Sequence, residues 1–575
     1  MRTGLKIGIM VLIIGYLYGP SLIVHIKRSF DPSNFNDDAT QHIVPFLSCY
    51  DPELLVNDHA SSYFMACFPV GYKAVYSMAS HFIDPRIFGK ILSYVLLLLL
   101  LTGLTAAAYK LGGFIPAFWT LALTLSTDTF LSRIEGGFPR SFAFPLFAWI
   151  AAACIWGRMD RLIALILLSG TFYPVMAVPA GLALFIIFFL FPEKDLGQAL
   201  FWSKKYRMTL FLLTGYFFVL ILTPTFLSSN HYGPLLTPSD VQTYPEAGEG
   251  GRCRASDRPD YHFPLQEGFK AFTESTLTGS QGRPWNHHLR KWINGDGHPE
   301  KGAARKKLLL LFYWMVIAAG WIYLVLNDSS IRRLTALILA VSVGYILSRI
   351  FTPYLFWPQR VLAYPIPVFT VILLPIASSA LPDLLSVSLS SLKKWVSFLR
   401  AFSTSLICGS CLLFFGGEIN PSAGITVSIP KNEKLYDFIG TLPRDSLIAG
   451  WPNLMAPVPY LSMRPVWVSF ETHYAYHKKY ADEMRTRMRM LIEAYFATEV
   501  SPLILLRDIG RVQYLVIDTG HYITPPHYFN PFRQWIKEAF SAAEEKQFEV
   551  LRQLPFTVIF SEGNKKVLDL SRLKR

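Results

Sequence analysis

The chain has 575 residues, of which 52% are hydrophobic and only 16% are charged, and its formal net charge is +14. Soluble domains carry about 25% charged residues, so this composition excludes an ordinary soluble protein and predicts a membrane protein. Much of the positive charge falls in short loops between apolar runs, where it indicates membrane orientation and contact with anionic lipid rather than binding to nucleic acid.

Apolar runs of about 18 residues or more recur through residues 1–415, which is the length that a helix needs to cross a bilayer. The first run has no small-residue cleavage site after it, so we expect a retained helix rather than a signal peptide. The run at 162–191 is interrupted at Thr171-Phe-Tyr-Pro174, which predicts two short helices meeting at a break. About eleven spans are predicted, at 7–25, 87–109, 113–131, 141–156, two within 162–191, 208–228, 307–326, 333–350, 361–380 and 397–415.

The basic residues predict the orientation of these spans. With the N-terminus in the cytoplasm, every inner loop carries positive charge, as the positive-inside rule requires. The residues concerned are Lys110, Arg158, Arg161, Lys194, Lys204, Lys205, Arg207, Arg332, Arg333, Lys393 and Lys394. The first loop (26–86), the long loop (229–306) and everything after residue 416 are then extracytoplasmic, and the protein is placed in the plasma membrane.

Two regions outside the predicted spans have folding signals of their own. Loop 26–86 contains helical apolar spacing, for example at Tyr63-Phe-Met-Ala-Cys-Phe68, and predicts one or two helices along the membrane surface. Residues 416–575 alternate predicted strands and helices, which indicates a small α/β domain. The predicted strands are 446–450, 466–469 and 513–518, and the predicted helices are 480–498 and 501–510. We therefore divide the chain into residues 1–415 and 416–575.

An acidic pair, Asp37 and Asp38, follows directly on the first span. Asn36 could cap a helix beginning at Asp37, with Asp38 and His42 four residues apart on one face. The simplest interpretation is a capped surface helix. At the rim of a helical bundle, however, two adjacent carboxylates are also suited to act as a general base or to hold a divalent cation.

Four arginines lie at the same predicted rim, each beside irregular backbone rich in Pro or Gly: Arg133, Arg140, Arg349 and Arg360. A guanidinium fork matches the geometry of phosphate, whereas the alternative for any one of them is snorkelling to the membrane interface. Glu135 is either a third catalytic acid or a partner of Arg133, and pairing is the preferred interpretation. Cys49 and Cys67 share the first outer loop, where a disulfide is one option.

An acidic pair soon after the first span, in a folded outer loop, resembles the GT-C superfamily of integral membrane glycosyltransferases. The multi-span bundle, the long later loop and the outer C-terminal domain are similar as well. The resemblance implies transfer of a sugar from a polyprenyl-phosphate donor to a lipid, glycan or protein acceptor, with inversion. Asp37 or Asp38 would be the base, and we favour Asp37 because Asp38 has His42 as a competing partner. The other would orient the acceptor or bind a metal.

Two other functions are compatible with a many-span protein. A transporter or flippase predicts ionisable residues near the bilayer midplane and paired broken helices, and this sequence has few of the former and one broken run. A membrane anchor for the C-terminal domain would need far fewer spans. The C-terminal domain lacks the Trp-Trp-Asp motif of the oligosaccharyltransferase branch, which argues against peptide asparagine as the acceptor.

Overall fold

The structure is a computed structural model, and it describes residues 3–56, 58–192, 196, 202–248, 250–252, 287–295, 299–351, 358–388, 395–430, 433–474, 476–544 and 557–573. Most of the long loop, Lys194, the pair Lys393 and Lys394, and Cys253 lie outside these residues.

Every predicted span forms helix. The helices up to residue 414 are α1 (Thr3–Ser29), α2 (Ala39–His42), α3 (Leu47–Tyr50), α4 (His59–Cys67), α5 (Val70–Ser80), α6 (Pro85–Gly112), α7 (Phe114–Leu125), α8 (Asp128–Ile134), α9 (Ala143–Trp156), α10 (Met159–Phe172), α11 (Ala177–Phe185), α12 (Lys204–Ser229), α13 (His287–Ile293), α14 (Pro299–Asn327), α15 (Ser329–Ile350), α16 (Arg360–Ala363), α17 (Pro365–Ser388) and α18 (Val396–Phe414). Loop 26–86 contains two longer helices, α4 and α5, as its spacing predicted.

Within the described residues, eight helical segments are long and apolar enough to cross a membrane. A ninth is obtained if α7 and α8, which bend by 64° at their junction, count as one span. The prediction of about eleven also included the two halves of the 162–191 run. They form α10 and the segment Pro174–Leu190, each too short to qualify alone, with the predicted break at Tyr173 between them.

Among the described residues, loop side chains meet at two opposite ends of the bundle. At one end, Asp38 pairs with Arg140, Arg360 contacts Tyr173, and Lys478 pairs with Asp240. We call this the site end. At the opposite end, the Arg400 guanidinium pairs with Asp383, and Arg333 Nε donates to the Cys154 carbonyl. Which end faces the cytoplasm stays a prediction.

The later part of the chain contains a mixed sheet between helices. Its helices are α19 (Lys434–Thr441), α20 (Pro452–Met455), α21 (Val458–Leu461), α22 (Lys478–Tyr495), α23 (Ser501–Asp508) and α24 (Phe532–Glu544). The strands among the described residues are β1 (Asn34–Phe35), β2 (Val427–Ser428), β3 (Ile448–Gly450), β4 (Tyr514–Asp518), β5 (Val558–Glu562) and β6 (Lys565–Asp569). The sheet order is β3-β4-β6-β5, with β3 and β4 parallel and the other neighbours antiparallel.

Strand β4 has packed side chains on both faces. Leu515 and Ile517 contact one hydrophobic cluster and Val516 contacts the other, which explains its continuous apolar run. The predicted strand at 466–469 is wrong, because it makes one isolated bridge to β3 and no ladder. Pro465 precedes that bridge, and proline has no N–H with which to extend one. The hairpin β5–β6 was not predicted, although Gly563-Asn564 between apolar runs is a turn signal.

The boundary at 415/416 stays a prediction. Beyond it, β2 pairs antiparallel with β1 of loop 26–86, in the register Asn34 with Ser428 and Phe35 with Val427. Phe35 also stacks on Tyr460 at a ring distance of 4.2 Å. The later part of the chain is thus packed directly against the segment that carries the acidic pair.

Candidate functional site

Strand β1 positions the acidic pair. Beyond its last residue, Asn36 Nδ2 donates to the Gly424 carbonyl at 2.5 Å. The Asp37 N–H donates to Thr426 Oγ1 and that hydroxyl donates back to Asp37 Oδ1, both at 2.8 Å. Gly424 has φ +73, and a Cβ there would lie 2.4 Å from the Cβ of Glu135. Only glycine fits at this position of the backbone. Gly424 and Thr426 both belong to the segment after the last span and bond to Asn36 and Asp37, so this segment determines the position of Asp37.

Asp38 differs from the sequence prediction in its partner. Helix α2 begins at Ala39, with Asp38 as its N-cap residue and no side-chain cap. The Asp38 carboxylate forms an ion pair with Arg140 rather than a contact with His42. Arg140 Nη2 also donates to Asn36 Oδ1 at 3.3 Å, and its guanidinium lies 5.1 Å from the Phe138 ring centre.

A charged chamber of about 180 Å³ lies beside this ion pair. Its lining residues are Asp38, Gln41, His42, Pro139, Arg140, Tyr173, Arg252, Arg360, Tyr474 and Tyr476. Asp38 therefore faces the chamber, whereas Asp37 is not among its lining residues. Because three guanidinium groups and one carboxylate face each other there, the charged side chains of the lining carry a net positive charge.

The four arginines predicted from the sequence separate into two groups. Arg140 and Arg360 line the chamber, and Arg360 Nη1 lies 3.5 Å from the hydroxyl of Tyr173, at the break between α10 and α11. Arg133 is exposed, and the Arg349 guanidinium lies 5.8 Å from the Tyr345 ring centre. Neither of these two is among the residues described as lining the chamber.

Arg252, from the long loop, was missed by the sequence analysis. Its Nη2 donates to Glu471 Oε2 at 2.7 Å, its guanidinium stacks 3.7 Å from the Phe470 ring centre, and Nη1 contacts the Phe470 carbonyl. Burial raises the pKa of Glu471, and the Arg252 charge opposes that shift. The other arginines were identified by Gly or Pro beside them, and Gly250-Gly251 gives Arg252 the same feature. Arg252 was not selected because it falls within a long loop whose structure the sequence did not predict.

An apolar groove of about 780 Å³ adjoins the chamber. The two share Gln41, His42, Pro139, Tyr173 and Tyr476 as lining residues. The rest of the groove is formed largely by apolar side chains of α4, α12 and the segment after Tyr173, among them Phe64, Phe68, Val175, Phe226 and Leu227. Phe226 and Leu227 are 62% and 70% exposed, so the groove lies on a surface that would meet lipid.

His42 stands where chamber and groove meet. Its ring lies 5.7 Å from that of Phe68 and 5.5 Å from that of Phe138. Burial, assisted by the positive charge of Arg360, lowers the pKa of His42 to about 3. The imidazole is therefore neutral at physiological pH and adds no charge to the arginines.

Glu135 does not pair with Arg133, so that prediction is wrong. Glu135 is 4% exposed and points inward, where the Ser29 hydroxyl donates to its Oε1 at 2.5 Å. Lys90 is also buried, and its ammonium donates to the backbone carbonyls of Asp31 and Asn34. Glu135 and Lys90 thus lie beneath the strand that leads to the acidic pair.

The predicted divalent cation has no complete ligand set among the described residues. No group of three or more His, Cys, Asp or Glu side chains comes together there, and the Asp38 carboxylate is engaged by Arg140. A cation at Asp37 and Asp38 stays a prediction. Cys49 and Cys67 are both free thiols, so the disulfide option is excluded in this structure.

Comparison with known proteins yields similarities of fold alone. No family model matches the sequence, and no curated protein is similar to it. ArnT from Cupriavidus metallidurans in the apo state is 11% identical, with 97% of each chain covered and a TM-score of 0.48. ArnT bound to undecaprenyl phosphate is 12% identical, covering 99% of this chain and 98% of that one, with a TM-score of 0.43.

An archaeal oligosaccharyltransferase, AglB from Archaeoglobus fulgidus in complex with an inhibitory peptide and a dolichol-phosphate, is also similar. It is 11% identical, covers 87% of this chain and 69% of its own, and has a TM-score of 0.38. The multi-pass helical membrane fold with a small C-terminal sheet is as predicted, and at 11–12% identity these likenesses are ones of overall fold alone.

Proposed function

We propose that the chain is a membrane glycosyltransferase that takes a sugar from a polyprenyl-phosphate donor and transfers it to an acceptor at the site end of the bundle. The observation that carries the proposal is the junction of a chamber lined by three arginines with an apolar groove on the lipid-facing surface. A sugar on a lipid phosphate has the matching shape, because its polar head is joined directly to an apolar tail.

The donor would lie across the junction. Arg140, Arg252 and Arg360 supply guanidinium groups, which bind phosphate oxygens through paired hydrogen bonds. The isoprenoid tail would follow the apolar wall past Phe68 toward Phe226, where its burial is favourable. The neutral His42 at the junction adds no positive charge at the point where the tail begins.

Asp38 is the base in this proposal, in place of Asp37. A general base must lie within reach of the hydroxyl that it deprotonates, and Asp38 is the member of the pair that lines the chamber. Its carboxylate forms an ion pair with Arg140. A bound phosphate would compete for Arg140 and leave the carboxylate available to the acceptor.

The proposed reaction is a single displacement at the anomeric carbon of the sugar. The acceptor oxygen forms a bond to the anomeric carbon, its proton passes to the Asp38 carboxylate, and the bond from that carbon to the phosphate oxygen breaks. The departing phosphate takes the bonding electrons and is stabilised by the arginines. Attack opposite the leaving group inverts the configuration at the anomeric carbon. Asp37, fixed by Thr426, would orient the neighbouring carboxylate.

The test is sugar transfer by the purified full-length protein in liposomes, with a radiolabelled polyprenyl-phosphate hexose as donor. Asp38→Asn should reduce turnover by about 10²–10⁴-fold, the usual contribution of a positioned base. Donor binding, measured separately, should persist. Asp37→Asn is the matched variant and should lose less. Unchanged turnover in Asp38→Asn would refute the role of the base, and movement of labelled lipid across the bilayer without sugar transfer would favour the flippase alternative.

A further inference from the structure

A second cavity, of about 460 Å³, lies at the opposite end of the bundle from the charged chamber. It is bordered by the first turns of α1 and α7 and by residues near the ends of α6, α14, α17 and α18. Its polar lining residues are Lys6, Ser379, Asp383, Ser397, Arg400 and Thr404. Apolar side chains such as Phe114, Leu324 and Ile376 form the remainder of its wall. The cavity is therefore amphipathic and lies near the ends of helices that are long and apolar enough to cross a membrane.

The cations of this cavity retain unused hydrogen-bond donors. Arg400 donates to Asp383 through Nε at 2.9 Å and Nη2 at 2.6 Å, which leaves Nη1 outside that pair. The Lys6 ammonium is exposed and has no ion-pair partner among the described residues. With Lys6 and Arg400 against Asp383, the three charges sum to plus one. An anion would match both the charge and the donors.

Helix α1 stands away from the bundle beside this cavity. A Cβ added at Gly4 or Gly8 would meet no atom within 4 Å, and Leu5 and Leu12 are 57% and 74% exposed. Only 17% of its most apolar window is buried. Among the described residues, α1 contributes Lys6 alone to the lining of this cavity.

We propose that this cavity binds the phosphate headgroup of an anionic membrane phospholipid. The phosphate would lie between Lys6 and the free side of Arg400, with an acyl chain against Phe114 and Ile376. Basic pockets between spans that contact apolar surface favour such lipids over zwitterionic ones. The bound lipid would tie the start of α1 to α18. This site is independent of the sugar-transfer function proposed above.

The experiment measures lipid binding to the full-length protein in detergent, by native mass spectrometry and thermal unfolding, with phosphatidylglycerol, phosphatidylcholine and inorganic phosphate as probes. Phosphatidylglycerol should bind and stabilise, and phosphatidylcholine should not. Lys6→Gln should weaken phosphatidylglycerol binding about fivefold, the effect of one cation near a lipid surface. Lys27→Gln removes an exposed lysine at the other end of α1 and should leave binding unchanged.

Arg400→Gln alone would remove the two hydrogen bonds that Arg400 donates to Asp383, so the second variant is the double substitution Arg400→Gln, Asp383→Asn, which should also weaken binding. Equal phosphatidylglycerol binding by the parent and both cavity variants would overturn the proposal. So would equal stabilisation by inorganic phosphate, because the site would then select a free anion rather than a lipid.

Discussion

Single residues decide which charged groups meet at the candidate site. The sequence identified six charged residues as a set, but three of them, Asp38, Arg140 and Arg360, line one chamber. Arg252 joins them from a loop that sequence patterns could not place. Arginines with similar sequence surroundings thus differ in position: Arg140 and Arg360 line the chamber, whereas Arg133 is exposed.

Arg360 should be required for donor binding. Arg360→Gln removes a chamber guanidinium, and a hydrogen bond to a charged group contributes about 1.5–3 kcal/mol, so affinity for undecaprenyl phosphate should fall by roughly 10–150-fold. Arg133→Gln is the matched control because Arg133 is exposed and outside the chamber lining. Isothermal titration of undecaprenyl phosphate into each purified variant measures the two affinities. Similar losses in the two variants would mean that the chamber does not hold the phosphate.

Glu135 should make stability depend on pH. Burial raises the pKa of Glu135 to about 7 from an ordinary value of 4.5, against the opposing effects of Ser29 and Lys90. Between pH 4.5 and 7 the unfolded chain releases this proton while the folded chain retains it, so stability falls through that window and is constant above it. The loss is roughly 3 kcal/mol, from 1.36 kcal/mol for each pKa unit.

Glu135→Gln should remove this dependence. The variant should unfold at a higher temperature than the parent at pH 8, and at a similar temperature at pH 4, where the parent carboxyl is protonated. Thermal unfolding of both proteins in detergent across pH 4–8 measures the difference. Parallel curves for parent and variant would show that Glu135 does not titrate in this range. Ser29→Ala is a useful companion, because it removes the hydrogen bond while leaving the carboxyl in place.

At the scale of elements, the short pairing of β1 with β2 connects the acidic pair to the chain beyond the last span. The pairing has only two residue pairs, so side-chain bonds such as that from Thr426 to Asp37 share in fixing the segment.

Thr426→Val should lower turnover with little change in folding. The substitution removes both hydrogen bonds to Asp37 while conserving shape, and such bonds contribute about 0.5–1.5 kcal/mol each. Because Thr426 is exposed, we expect a small stability loss and a several-fold lower turnover under saturating donor. Thr426→Ser retains the hydroxyl and should restore activity. If valine and serine variants behave alike, Asp37 does not depend on this contact.

At the scale of the whole molecule, the charged chamber and the second cavity, which contains Lys6 and Arg400, lie at opposite ends of the bundle. The described residues of the basic loops predicted to be cytoplasmic, such as Lys110, Arg158 and Arg333, lie at the same end as the cavity that contains Lys6 and Arg400. Phosphate recognition is therefore expected on both membrane faces: a donor phosphate at the site end, and a structural lipid at the opposite one.

The orientation can be measured by cysteine labelling. In a variant lacking the six native cysteines, a membrane-impermeant maleimide should label Asp51→Cys in intact cells but label Asp160→Cys only after permeabilisation. Asp51 follows α3 at the site end, and Asp160 begins α10 at the opposite end. The reverse pattern would invert the topology without changing the grouping of the loops. A labelled site near Lys110 provides a second point at the opposite end.

The sequence by itself determined the elements that depend on local chemistry. Apolar runs predicted the spans, the Tyr173 break, the helices α4 and α5, and strands β3 and β4, because the bilayer and the core select hydrophobic length and period directly. It also located Asp37, Asp38, Arg140 and Arg360. Tertiary structure alone decided that Asp38 pairs with Arg140, that Glu135 turns inward to Ser29, and that Arg252 enters the chamber beside Glu471. Those contacts join residues about a hundred or more positions apart, and no local pattern specifies which distant charge a side chain will meet.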